Sequence, residues 1–87
     1  MPHLTLYTGP TCSLCDKAKA LIDKVALDTP LTLEIIDITG DPALYEAHRY
    51  EIPVIAVDGD IRMRGKVSEF WLRKALRGEP LDGYRLL

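Results

Sequence analysis

The 87-residue chain has no asparagine, no glutamine, one tryptophan, one phenylalanine, two cysteines and two histidines. Absence of both thermolabile amides fits a thermophilic source. Two cysteines are too few for the bridged framework of a small secreted domain, and a close pair in a reducing compartment points to redox chemistry or metal binding. A zinc site within the chain would need about four ligands, and His3 and His48 stand at no finger-like spacing from the cysteines. His3 is expected to fray at the terminus and His48 to belong to a helix. No segment approaches the roughly 20 apolar residues that span a bilayer, and MPHLTLYTG has neither the basic region nor the apolar run of a signal peptide. A cytoplasmic protein is the expectation. Excess charge of one sign is also missing: the net charge of −2 and pI near 5.6 leave no basic field for nucleic acid or an anionic membrane.

What remains is the composition of an ordinary globular chain, short enough to hold one core. A single domain over 1–87 is expected, with its core at about 4–77 and a C-terminal tail at 78–87, acting as a monomer. Leu4–Tyr7 reads as a buried strand ended by Gly9 and Pro10. From Ser13 to Leu27, Leu14, Ala18, Leu21, Ile22 and Val25 recur at helical spacing. The β-branched run LTLEIIDI from Leu31 predicts a second strand, so the first third of the chain is a βαβ unit with parallel strands. Asp41 and Pro42 suit the cap and first position of a helix reaching about Arg49. VIAV and DIRMR, joined by Asp58-Gly59, form a hairpin in which Ile61 and Met63 alternate with Arg62 and Arg64. A last helix over about Val67–Arg77 presents Val67, Phe70, Trp71, Ala75 and Leu76 on one face and stops at Gly78. The order βαβαββα, with helices for both faces of a four-stranded sheet, gives a small α/β sandwich.

Within YTGPTCSLCDKAKAL, Cys12 falls at the N-terminal edge of the first helix, where free amides and the helix dipole favour a thiolate. Cys15 is one turn on, less exposed and within reach for a local disulfide. The thiolate of Cys12 can attack a substrate disulfide, and Cys15 can resolve the mixed disulfide. Asp16 supports the helix start but sets a negative charge near the thiolates. The alternatives are two cysteines that serve as small apolar residues, or that hold an iron–sulfur cluster shared between chains.

The run CSLCDKAKAL, the strand ending at Tyr7 and YEIPVI at positions 50–55 together resemble the glutaredoxin branch of the thioredoxin-like superfamily, more narrowly the small bacterial glutaredoxin-like proteins. The resemblance covers Leu4 to about Arg77. It implies the sheet order 2-1-3-4, a cis Ile52-Pro53 bond facing the dithiol, and a backbone at Ile52 free to pair with an extended substrate. It also implies a thiol–disulfide oxidoreductase with Cys12 as nucleophile, Cys15 as resolving thiol, Thr11 and Ser13 lining the turn, and Pro53 shaping the groove. Gly65 would keep the backbone close to a ligand. The substrate would be a protein disulfide or a glutathione mixed disulfide, with glutathione or a flavoprotein reductase as electron donor and no metal or organic cofactor. Three departures bear on glutathione. Gly9 stands where many members have lysine, Ser13-Leu14 replaces Pro-Tyr, and Arg64-Gly65-Lys66-Val67 replaces the usual Gly-Gly and acidic pair. A cluster scaffold and a redox-inert interaction module are the rival readings.

Overall fold

A computed structural model describes residues 1–84; positions 85–87, the end of the expected tail, lie outside the described residues. The elements run β1 (His3–Thr8), α1 (Ser13–Ala26), β2 (Thr32–Asp37), a 3-10 turn (Ile38–Gly40), α2 (Pro42–His48), β3 (Val54–Val57), β4 (Asp60–Arg64) and α3 (Glu69–Leu76). They build one four-stranded sheet in the order β2-β1-β3-β4. β1 pairs parallel with β2 and antiparallel with β3, and β3 pairs antiparallel with β4. The α/β thioredoxin-like architecture implied by the sequence resemblance is the one observed.

Alternation along the strands divides the sheet into two faces. Leu4 and Leu6 of β1, Ile55 and Val57 of β3, and Met63 of β4 meet Ala18, Ile22 and Val25 of α1 and Leu72 and Ala75 of α3 in one continuous core. Tyr7 points to the other face, where the ring of His48, the last residue of α2, lies 5.1 Å from its ring. Asp41 caps α2 as its sequence suggested, its carboxylate accepting from the amides of Ala43 and Leu44 at 2.9 and 3.2 Å.

Three local expectations fail. His3 does not fray: its N–H donates to the Asp58 carboxylate at 2.9 Å and its ring lies 2.7 Å from the Thr32 hydroxyl, because β1 is the central strand and is paired from its first residue. Ile61 is 42% exposed while Met63 is fully buried, because the register slips between Ile55 and Ala56 and a bulge in the edge strand breaks simple alternation. In α3 the buried residues are Leu72 and Ala75, and Phe70 is 63% exposed. The helix begins only at Glu69, where the Ser68 hydroxyl accepts from the Trp71 amide, and this start turns Leu72 inward.

Leu81 and Tyr84 of the tail pack against the core. Trp71 and Tyr84 stack edge to face at 5.8 Å. The Tyr84 hydroxyl accepts from the Arg64 amide at 3.2 Å and lies 2.5 Å from the Lys66 carbonyl, so it grips both sides of Gly65. Burial pushes the Tyr84 phenol up from its usual range. No helix among the described residues is long and apolar enough to cross a membrane.

Candidate active site

The site is built at the end of β1. Beyond Thr8 the chain passes Gly9 and Pro10 and turns through Thr11, whose φ of 51° is a left-handed value that a β-branched residue rarely adopts. The Thr11 hydroxyl donates to the Pro10 carbonyl at 2.7 Å. This turn delivers Cys12 in an extended conformation as the cap of α1, with Ser13 exposed as the first helical residue. Costly backbone geometry of this kind concentrates at functional turns, and nothing in the residue types announces it.

Cys12 and Cys15 form a disulfide with their Cα atoms 5.2 Å apart, inside the usual span for such bridges. The Cys15 amide donates to the Cys12 sulfur at 3.1 Å. That amide is one of those left free at a helix start, and it is aimed at the atom that would carry the thiolate charge. The two sulfurs are unequal: Cys15 is 3% exposed and Cys12 is half-buried, so solvent reaches the first cysteine of the pair. Asp16 is exposed, and its amide donates to the Cys12 carbonyl at 3.2 Å. Leu14, between the cysteines, is 43% exposed, outside the core its helical spacing suggested.

Opposite the turn, the chain enters β3 through a cis Ile52-Pro53 bond, with Pro53 buried and Ile52 half-buried. Among the described residues, neither the N–H nor the C=O of Ile52 has a hydrogen-bond partner. The Pro53 carbonyl accepts from the Gly65 amide at 2.8 Å. Gly65 has φ of +79°, which favours glycine. Its amide is therefore engaged in tying the β4–α3 turn to the proline loop, and Tyr84 holds that turn from outside.

One contact joins the two loops. A Cβ placed on Gly9 would sit 2.9 Å from Cδ1 of Ile52, so the isoleucine side chain rests directly on the glycine. Three further residues carry this part of the molecule. The Glu51 carboxylate lies 3.6 Å from Nδ1 of His48 and 3.4 Å from Nε of Arg64. Both nitrogens are buried without a hydrogen bond, so the Arg64 contact is one of charge with the alignment of a hydrogen bond missing. Glu51 thus links α2, the proline loop and β4. Of the residues the sequence nominated, Ile52 reaches the cysteine turn through Gly9, Pro53 and Gly65 meet each other, and Thr11 and Ser13 flank Cys12. The sequence reading overlooked Glu51, Tyr84 and the seat that Gly9 offers. Glu51 was signalled only by a charge between Tyr50 and Ile52, and Tyr84 only by an aromatic residue in an otherwise featureless tail.

Among the described residues no three His, Cys, Asp or Glu side chains gather as a metal site. A cleft lined by Met1, Pro2, Thr29, Pro30, Arg73, Leu76 and Arg77 includes none of these loop residues.

A mixed sheet in this order, with a cysteine pair at the first strand–helix junction and a proline opening the third strand, defines a thioredoxin-like protein. Solved structures agree. A structural-genomics target protein from X. campestris is 27% identical, with a TM-score of 0.72 over 88% of this chain and 99% of that one. A mutant thioredoxin from Halobacterium salinarum NRC-1 shares the fold at 20% identity, with a TM-score of 0.69 over 88% of this chain and 73% of its own. The chain belongs to the glutaredoxin-like domain family (DUF836), whose match spans residues 3–77. Two curated relatives are each 29% identical: a probable thioredoxin from Archaeoglobus fulgidus over 88% of both chains, and a thioredoxin from Methanocaldococcus jannaschii over 85% of this chain and 91% of that one. Family, relatives and the bonded pair together point to redox activity.

Proposed function

We propose that the protein is a thiol–disulfide oxidoreductase that reduces disulfides through Cys12 and Cys15. The observation that carries this reading is the inequality of the bonded pair: one sulfur half-buried at a helix start under an amide donor, the other 3% exposed. In the reduced protein the Cys12 thiolate attacks one sulfur of the substrate disulfide, forming a mixed disulfide and expelling a substrate thiolate, which takes a proton from water. Cys15 gives up its proton and attacks the Cys12 sulfur. The second substrate thiol leaves, two electrons have moved to the substrate, and the Cys12–Cys15 bond is restored. Glutathione or a flavoprotein reductase then reduces the pair.

The unpaired backbone of Ile52 supports an extended substrate pairing beside the cysteines, as in strand addition. The names of the archaeal relatives favour a thioredoxin-type partner set. The test is turnover of a protein disulfide and of a glutathione mixed disulfide by wild type, Cys12→Ser and Cys15→Ser, with glutathione or a thioredoxin reductase as donor. Cys12→Ser is inactive in every arm. Cys15→Ser retains turnover only where glutathione can resolve the mixed disulfide. Activity in Cys12→Ser, or a wild-type pair that never cycles, refutes the proposal.

A further inference from the structure

We propose that Tyr84 is a positioning residue for the reaction with protein disulfides: its hydroxyl fixes the backbone of the β4–α3 turn and, through that turn, the rim of the site that a large substrate meets. The inference rests on the redox reading above and adds to it a residue that lies outside the family match, which ends at residue 77.

The geometry begins at the edge of the sheet. β4 is an outer strand, and such a strand leaves a row of backbone groups unpaired. At Arg64 both of these groups are met by one atom of the tail. The Tyr84 hydroxyl accepts from the Arg64 N–H at 3.2 Å, and its own hydrogen lies between the carbonyls of Lys66 at 2.5 Å and Arg64 at 3.1 Å. All three groups belong to one turn, in which Gly65 takes a φ of +79°. Glycine is the residue whose backbone wanders most readily, so a tie on each side of it decides which conformation the turn keeps. The Gly65 N–H donates to the Pro53 carbonyl at 2.8 Å, and the fixed turn thereby holds that carbonyl in place.

The ring of Tyr84 is held by other means than its hydroxyl. Trp71 meets it edge to face, Gly83 at φ of +90° lies against the same indole, and Leu81 packs on the core. At the base of the tail the Glu79 carbonyl accepts from Arg62, and the Glu79 carboxylate pairs with Lys74 and Arg77. With the tail anchored this way, the hydrogen-bond partners of the hydroxyl among the described residues are all backbone groups of the turn, and removing it frees the turn alone. Cys12 takes its amide donor from within α1. Loss of the hydroxyl therefore leaves the chemistry of the sulfur intact and slows only substrates large enough to press on the turn.

The test is single-turnover reduction of two disulfides by reduced wild type and by Tyr84→Phe. One is hydroxyethyl disulfide, too small to reach past the cysteines, and the other is a pair of unstructured peptides joined by one central disulfide. In each case the two electrons come from the Cys12 and Cys15 thiols, which end as the bridge, and the substrate leaves as two thiols. Bridge formation is followed by acid quench and mass spectrometry. Tyr84→Phe reduces the small disulfide at the wild-type rate and the peptide disulfide about three- to tenfold more slowly, the worth of one hydrogen bond. Tyr84→Ala, which also gives up the ring on Trp71, is slower again with the peptides. Thermal melts and the fluorescence of Trp71, the single tryptophan of the chain, check that Tyr84→Phe is folded with its ring in place. Equal slowing of both substrates, slowing of neither, or faster reduction of the peptides overturns the inference and leaves the redox reading standing. Failure of wild type to reduce either substrate overturns the redox reading itself.

Discussion

The two faces of the sheet are built to different standards. On one, α1 and α3 share a core of ten buried side chains with the sheet and are fastened at the rim: Lys24 pairs with Glu69 at 2.9 Å, and Arg73 bridges Glu69 at 3.0 Å and Asp28 at 2.9 Å. On the other, α2 has seven residues, none of them buried, and the buried side chains include Val54 and Ala56 of β3 and Ile38 of the turn before α2. The cysteines belong to the firm face, since Cys15 lies on the same helix as Ala18, Ile22 and Val25. The loop with Ile52 and Pro53, the proposed substrate side, follows the lightly packed α2. A reactive sulfur needs a fixed field, whereas a loop that binds partners tolerates looser support.

The largest effect that tests this contrast is a cavity in each face. Leu72→Ala should cost about 2–5 kcal/mol, and Leu44→Ala, half-buried in α2, about 1 kcal/mol. Urea denaturation measures both, and equal losses would erase the distinction. Next comes the cap of α2. Asp41→Ala should cost about 1 kcal/mol, and hydrogen exchange should show the loss at the amides of residues 43–48 while α1 stays protected. Tyr84→Phe should cost about 1 kcal/mol through lost hydrogen bonds and speed exchange at Gly65 and Lys66, which would sharpen the role of the tail as a latch on the proline loop.

The smallest effect is electrostatic. Arg73 holds the Asp28 carboxyl below its usual value, and Lys24 followed by Arg73 does the same for Glu69. A depressed folded value means stability that is present above the unfolded values of 3.8 and 4.5 and lost as pH falls through the folded ones. These groups are exposed, so the acid limb should be shallow and weakened by salt. Arg73→Ala should flatten it between about pH 4.5 and 2, as melting temperature against pH would show.

Much of this was readable from the residues. The βαβ unit, the hairpin at Asp58-Gly59 and the cap at Asp41 follow from periodicity and turn chemistry, and the sheet order and cis proline followed from resemblance carried by CSLC and YEIPVI. What escaped depended on register or distant contacts. A bulge decided that Ile61 faces solvent, and the start of α3 at Glu69 decided that Leu72 is inside. The seat of Ile52 on Gly9 joins residues 43 positions apart, and in the sequence Gly9 reads only as a strand end. Tyr84 could not be assigned to the Gly65 turn because its partners are backbone groups, which leave no trace in residue type.

The most direct measurement is alkylation of the reduced protein by iodoacetamide across pH, with each cysteine resolved by mass spectrometry. The account predicts that Cys12 reacts first with a midpoint below the ordinary thiol value of about 8.5, that Cys15 lags, and that reoxidation protects both. Equal labelling of the two at an ordinary thiol midpoint, or failure of the bridge to re-form, would contradict it.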